Sequence, residues 1–202
     1  MYPATPPFWL KWLYPSLIWN KSRNEKAIYL TFDDGPIPVV TPFVLNTLKK
    51  FDATATFFCI GDNVKKHPDI YKQVLQDGHS VGNHTFNHLK GWKTGNADYL
   101  SNIEKCRELV DSNLFRPPYG RGTRSQYSIL NSQYSIVMWD VLSWDFHENL
   151  SPEKCLKKVI RNTRNGSVVV FHDSLKAYPR LEYALPLALQ HWQEKGYTFK
   201  GL

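Results

Sequence analysis

Two carboxylates stand side by side, Asp33 and Asp34, where an apolar run ending at Phe32 stops at a Gly-Pro turn signal. Adjacent buried anions repel and lose solvation, so both stay ionised only beside a cation or strong hydrogen bonds. The same four residues, Asp-Asp-Gly-Pro, also suit a plain surface turn. Further on, His84 and His88 bracket Thr-Phe-Asn. In one helical turn that spacing sets both rings on one face, within reach of one cation. With a carboxylate from Asp34 they make a set of two histidines and one aspartate. Three protein ligands leave an open position for water, as in catalytic zinc sites. The chemistry these residue types support is metal-assisted hydrolysis.

Elements must bring them together. Apolar runs at 27–32, 53–60, 79–82, 114–115, 135–141, 168–171 and 197–199 read as strands. Helix patterns separate them, at 41–51, from Asp62 to the stop at Gly78, and from Asn96 or Asp98 through Val110. Others cover 124–130, the stretch from Ser151-Pro152 to Gly166, and 181–195, the last with Pro186 inside it. About seven strands alternating with helices predict an α/β domain, a parallel sheet or barrel. Asp33 and Asp34 follow the first strand and His84 and His88 the third. Arg116 and Tyr119 follow the fourth, Asp145 the fifth, and His172 and Asp173 the sixth. All fall at carboxyl ends, where such sheets gather their chemistry.

A chain of 202 residues with 42% hydrophobic and 21% charged residues suits one globular domain. Aromatic content of 14% supplies flat rings for sugars, lipids or bases beyond what a core needs. The net charge of +7 fits an acidic partner surface, but the basic residues are scattered and no nucleic-acid reading motif is visible. No nucleic-acid partner is expected. Three cysteines without a CxxC pair argue against a disulfide framework and a thiolate metal site. The aromatic amino terminus, residues 1–25, is interrupted by Lys11 and Pro15 and lacks a signal-peptide pattern. It is expected to fold back over an edge of the domain formed by 26–202, with peripheral membrane contact as the alternative. A monomer in the cytoplasm or at the cytoplasmic membrane surface is expected, with export to the envelope left open.

On four motifs in order, the chain resembles the polysaccharide deacetylases with the NodB homology domain, carbohydrate esterase family 4. The motifs are Thr31-Phe-Asp-Asp-Gly-Pro36, His84-Thr-Phe-Asn-His88, Arg116-Pro-Pro-Tyr119 and Val170-Phe-His172. The resemblance implies a single-domain distorted (β/α) barrel and a hydrolase that removes N-acetyl groups from N-acetylhexosamine units of peptidoglycan or a chitin-like glycan. It implies Asp33 as general base toward the attacking water and His172 as the acid for the leaving amine. Arg116 would pair with Asp33. Asp34, His84 and His88 would hold a divalent ion, most often zinc, with cobalt, nickel or manganese as alternatives. Tyr119 would offer its backbone N–H to the oxyanion, and Pro118, Asp145, Val170 and Trp144 are grouped with it at the substrate.

The family's fourth motif departs here. Its pattern D-[SA]-x-D-W reads Leu142-Ser143-Trp144-Asp145-Phe146. The resemblance assigns the steadying of the acidic histidine to the first position, where this chain has Leu142. Asp140 or Asp173 is then expected to substitute, or else His172 has a lower pKa than in relatives and the enzyme is slower. Readings kept beside the leading one are an O-acetyl esterase on a xylan-like glycan, a deacylase of a lipid-linked sugar, and a degenerate glycan-binding module.

Overall fold

The computed structural model describes residues 4–202; positions 1–3 of the amino-terminal segment lie outside the described residues. Strands β1 (Ala27–Asp33), β2 (Thr56–Cys59), β3 (Ser80–Asn83), β4 (Leu114–Phe115), β5 (Ser135–Ile136), β6 (Val141–Leu142), β7 (Val168–His172) and β8 (Thr198–Lys200) form one parallel sheet. Its order is β5-β4-β3-β2-β1-β7-β6, with β8 beside β1. One flank of β1 pairs with β7 from Tyr29 to Asp33. The other pairs with β8 at Ala27–Tyr29 and with β2 at Thr31–Asp33. Helices α1 (Phe8–Leu13), α2 (Val40–Lys50), α3 (Gly61–Lys66), α4 (Pro68–Gln76), α5 (Asn96–Arg107), α6 (Arg124–Leu130), α7 (Pro152–Asn162) and α8 (Tyr178–Glu194) complete the order.

The α/β barrel expected from the sequence is the one that forms, with eight strands in place of about seven. The run 135–141 divides, because residues 137–140 cross from one edge of the sheet to the other. Val137 N–H still donates to Phe115 O (2.8 Å), whereas Asp140 N–H donates to Val168 O (2.9 Å). The barrel is therefore open between β5 and β6. The amino-terminal segment spans that opening: Ile18 N–H donates to Ile136 O (2.9 Å), Met138 N–H to Ile18 O (2.7 Å), and Leu142 N–H to Ala4 O (2.8 Å). Buried Asp140 fastens the segment from inside, accepting from Lys11 Nζ (2.6 Å), Arg23 Nη2 (2.9 Å) and Ser167 Oγ (2.7 Å). Burial alone would raise the Asp140 pKa, but the bonds from Lys11, Ser167 and Arg23 outweigh it and hold the carboxyl below its usual range.

Alternation along β1 decides what faces the site. Ile28, Leu30 and Phe32 belong to the apolar layer shared with α2 and α8, where Val44, Leu48, Leu185 and Leu189 are also buried. The intervening Ala27 and Tyr29 join Phe58 and Val168 in a separate cluster, so Asp33, in the same phase of the strand, is carried to that side.

Several boundaries differ from the sequence expectation. The helix expected from Asp62 begins one residue earlier, since α3 starts at Gly61 after Ile60, and Asp62 pairs with Lys66 one turn on (2.6 Å). The helix expected from Asp62 to Gly78 is two helices, because Pro68 cannot supply the N–H that would continue α3 and instead opens α4. Ser151 caps α7, accepting from Lys154 N–H, and Pro152 opens it, but α7 ends at Asn162 well before the expected Gly166. Helix α8 begins at Tyr178, earlier than expected, and accommodates Pro186. Cys59, Cys106 and Cys155 are buried and unpaired. Among the described residues no helix is long and apolar enough to cross a membrane.

Candidate active site

Arg116 is the largest polar side chain that the fold buries completely. Its Nη1 donates to Asp33 Oδ1 (2.6 Å) and Thr31 Oγ1 (2.8 Å), its Nε to Val137 O (3.2 Å), and its Nη2 to Met138 O (2.8 Å). The guanidinium lies 4.1 Å from the Phe58 ring centre. A buried cation with every flank occupied fixes the Asp33 carboxylate in place and leaves its second oxygen for chemistry.

Asp34 is turned away from its neighbour by a left-handed backbone (φ 87°), and the following Gly35-Pro36 peptide is cis. Gly35 is required by close approach: a Cβ there would sit 1.9 Å from Asp173 Oδ2. Asp173 accepts from Gly35 N–H (3.0 Å) and from Thr41 Oγ1 (2.6 Å), and Asn63 Nδ2 donates to Asp34 O (2.7 Å). The turn carrying Asp34 is thus clamped from two elements. Burial pushes the Asp173 carboxyl up to about 8, against the bonds from Thr41 and Gly35. Asp173 is committed to this clamp and not to His172.

The two rings of His84 and His88 converge through a loop, contrary to the helical turn expected from their spacing. Thr85 (φ 65°) and His88 (φ 58°) are both left-handed, and the loop is held by Thr85 N–H to Asn83 Oδ1 (2.9 Å) and Leu89 N–H to Thr85 Oγ1 (3.1 Å). The His84 and His88 ring centres are 5.1 Å apart. His84 Nδ1 lies 2.7 Å from Arg116 O. A carbonyl only accepts, so Nδ1 carries the proton and Nε2 keeps its lone pair. Burial, then His88, lowers the His84 pKa to about 3, and burial lowers His88 too. Both rings are neutral, the form that binds a metal. Asp34 Oδ1 lies 3.8 Å from His84 Nε2 and 3.4 Å from His88 Nε2. That oxygen is buried without a hydrogen-bond partner. One ligand atom from each of the three lies within 4.8 Å of the others. An unpartnered buried oxygen beside two neutral imidazoles, His84 with its Nε2 lone pair free, fits a cation.

On the other side, His172 Nδ1 donates to Asp145 Oδ1 (2.7 Å), and its backbone N–H to Asp145 Oδ2 (2.8 Å). Burial alone would lower this histidine, but Asp145, with Asp34 and Asp33 behind it, raises it to about 9. The expectation that Asp140 or Asp173 steadies His172 is corrected, since Asp140 faces Lys11 and Arg23 at the barrel opening. Asp145 does it, and the loss of an acid at Leu142 removes nothing from the histidine. Asp145 is fully buried and so does not line the substrate pocket as expected.

The pocket above these groups measures about 640 Å³. Asp33, Asp34, His84, His88, Tyr119, Trp144, Val170 and His172 line it as the sequence suggests, while buried Pro118 does not. Half-exposed Tyr119 packs its ring 4.6 Å from His88 and 5.3 Å from Trp92. Sequence reasoning missed the wall contributed by Pro6, Pro7 and Leu10 and by Met138, Trp139 and Leu142. No local pattern marks these residues, because they meet only where the barrel fails to close.

A parallel α/β barrel with a buried Asp33–Arg116 pair, a histidine raised by Asp145 and an Asp34–His84–His88 cluster at the strands' carboxyl ends suits metal-assisted hydrolysis. The model of the polysaccharide deacetylase family matches residues 20–134. A peptidoglycan-N-acetylglucosamine deacetylase of Bacillus cereus is 34% identical over 191 residues, covering 90% of this chain and 88% of its own. A chitooligosaccharide deacetylase of Azorhizobium caulinodans is 37% identical over 160 residues, covering 75% and 76%. The crystal structure of a peptidoglycan N-acetylglucosamine deacetylase in complex with 4-naphthalen-1-yl-N-oxidanyl-benzamide superimposes with a TM-score of 0.90 at 30% identity, covering 98% of this chain and 95% of its own. The chain belongs to the polysaccharide deacetylase family and is a hydrolase of that family, which is metal-dependent.

Proposed function

We propose that this protein hydrolyses the N-acetyl groups of N-acetylhexosamine units in a peptidoglycan or chitin-like glycan. The observation that carries this reading is a register. Asp33 and His172 are direct partners across β1 and β7, one strand spacing apart, and both face the pocket beside the Asp34–His84–His88 cluster. The relatives' activities on N-acetylglucosamine glycans support the substrate class. Asp34, His84 and His88 would hold a divalent cation, zinc by preference for two imidazoles and a carboxylate, which when bound acidifies water and polarises a carbonyl.

The chain's own residues do the rest. Asp33, held by Arg116, accepts the proton of the attacking water at its free oxygen. The backbone N–H of Tyr119, on a turn with φ 60°, would steady the developing oxyanion. His172, kept cationic by Asp145, gives its Nε2 proton to the amine nitrogen as the carbon–nitrogen bond breaks. Acetate release from N-acetylglucosamine oligomers after zinc is restored to chelated protein tests the proposal. Asp33→Asn should lose turnover by 10²- to 10⁴-fold yet retain one zinc. Absence of both metal and acetate release would sink it.

One observation favours a second reading, action on a lipid-linked sugar at a membrane surface. On α1, Phe8 is 86% and Trp12 82% exposed, and Pro7 and Leu10 of the same segment line the pocket. Liposome co-sedimentation with and without residues 1–21 decides it; equal behaviour of the two forms removes this reading.

A further inference from the structure

The pocket is lopsided. Under Asp33 the barrel interior is plugged, because Arg116 fills it and bonds to Thr31 and to the carbonyls of Val137 and Met138. Behind His172 the buried side chain is Asp145, which holds the ring and does not line the pocket. Val170 is two residues before His172 on β7, so it faces the same way, and Leu142 of β6 pairs with it in register. Both line the pocket. The wall then runs on through Met138 and Trp139 to Leu10 and Pro7, in the opening that the amino-terminal segment spans.

The residues along this extension, Val170, Leu142, Met138, Trp139, Leu10 and Pro7, are apolar, whereas the ionisable lining of the pocket is Asp33, Asp34, His84, His88 and His172 with Arg121 and Lys176. A sugar pushed into it would leave hydroxyls without partners, which costs more than the carbon contacts return. A hydrocarbon tail loses nothing there.

We infer that this apolar slot receives the acyl chain, and that the enzyme removes N-acyl groups longer than acetyl, at least to butyryl, from amino sugars. This rests on the hydrolytic reading of the same site. In the step, water gives a proton to Asp33 as its oxygen bonds to the acyl carbon, and the carbon–nitrogen bond breaks. The amine leaves with a proton from His172, and the chain departs as its carboxylate.

Two measurements on the zinc-loaded, full-length protein test it. The first is hydrolysis of one glucosamine oligomer carrying acetyl, propionyl, butyryl or hexanoyl groups. The second is calorimetric affinity for alkyl hydroxamates of the same lengths, which needs no turnover. Butyryl is expected within about tenfold of acetyl in kcat/KM, and hydroxamate affinity should rise about fourfold per methylene. A pocket fitted to acetyl would instead reject butyryl by 100-fold or more. That result, or hydroxamate affinity flat with length, overturns the inference. Leu142→Phe, checked for an unchanged thermal midpoint, should lower the butyryl-to-acetyl ratio at least tenfold; an unmoved ratio also overturns it. Should it unfold, Leu10→Trp asks the same question from the opposite wall. If acetate is released but longer acids are not, the slot inference fails alone. If longer hydroxamates bind better while no acyl group is released, the slot stands and the catalytic reading falls.

Discussion

Two histidines in one pocket, His84 and His172, are driven in opposite directions by what their Nδ1 atoms meet. His84 gives its Nδ1 proton to a neutral carbonyl, that of Arg116, and burial takes its pKa down to about 3. His172 gives its proton to the Asp145 carboxylate, which overrides burial and raises it to about 9. At neutral pH the first is a lone pair and the second a proton. A free lone pair and a held proton are thus made from the same side chain, with the division set by one oxygen's charge. The two aspartates repeat the lesson, since Asp33 is neutralised by Arg116 while Asp34 Oδ1 is left without a protein donor.

The strongest way to break the contrast is to remove the lone-pair side. His84→Ala deletes one of three ligands, so bound zinc should be lost and turnover should fall by at least 10⁴-fold; metal analysis beside acetate release checks both. Next is the plug that both halves share. Arg116→Met leaves the Asp33 carboxylate buried without its cation, and denaturant unfolding should show a loss of about 3–5 kcal/mol. A variant as stable as the parent would mean that Asp33 is rescued by water.

The contrast was only half legible in the sequence. The strand ends and four motifs pointed to Asp34, His84 and His88, and the fold does bring the three together. The spacing of the two histidines misled on geometry: left-handed Thr85 and His88 bring the rings together by a loop. The partner of His172 was misassigned. Its carboxylate lies two strands from β1, and Asp140, Asp145 and Asp173 are equally plausible acids until β6 and β7 are paired. Asp140 and Asp173 proved to serve the barrel opening and the Gly35 turn. The fold class was readable from alternating strands and helices. The split of 135–141 was not, because nothing local in that run records that the barrel is closed by residues from the amino terminus.

A gentler change tests the proton side. Asp145→Asn keeps the shape and the backbone bond to His172 N–H but removes the charge that holds the imidazolium. Turnover near pH 8 should fall 10- to 100-fold, with the basic limb of kcat moving from about 9 toward 6.5. The stability linkage has the same sign. A histidine raised in the fold contributes stability that is complete below its unfolded value near 6.5 and is lost as pH climbs through about 9. The parent should therefore lose stability over that window and the variant should not. An unmoved limb would show that Asp145 only positions the ring.

The smallest expected effect lies furthest from both histidines. Lys11 reaches buried Asp140 across the barrel opening, but it is itself partly exposed, and Arg23 and Ser167 remain as partners when it is removed. Lys11→Met should cost no more than about 1 kcal/mol. Asp140 is lowered in the fold, so its contribution is present above the unfolded value near 3.9 and disappears as pH falls below it. The variant's deficit should accordingly be full at pH 7 and shrink as pH falls below that value toward the lowered folded one, while the pH profile set by His172 stays where it was. If the deficit persists in acid, Lys11 acts by packing its stem against the pocket wall and not by its charge, and the amino-terminal segment is held by shape.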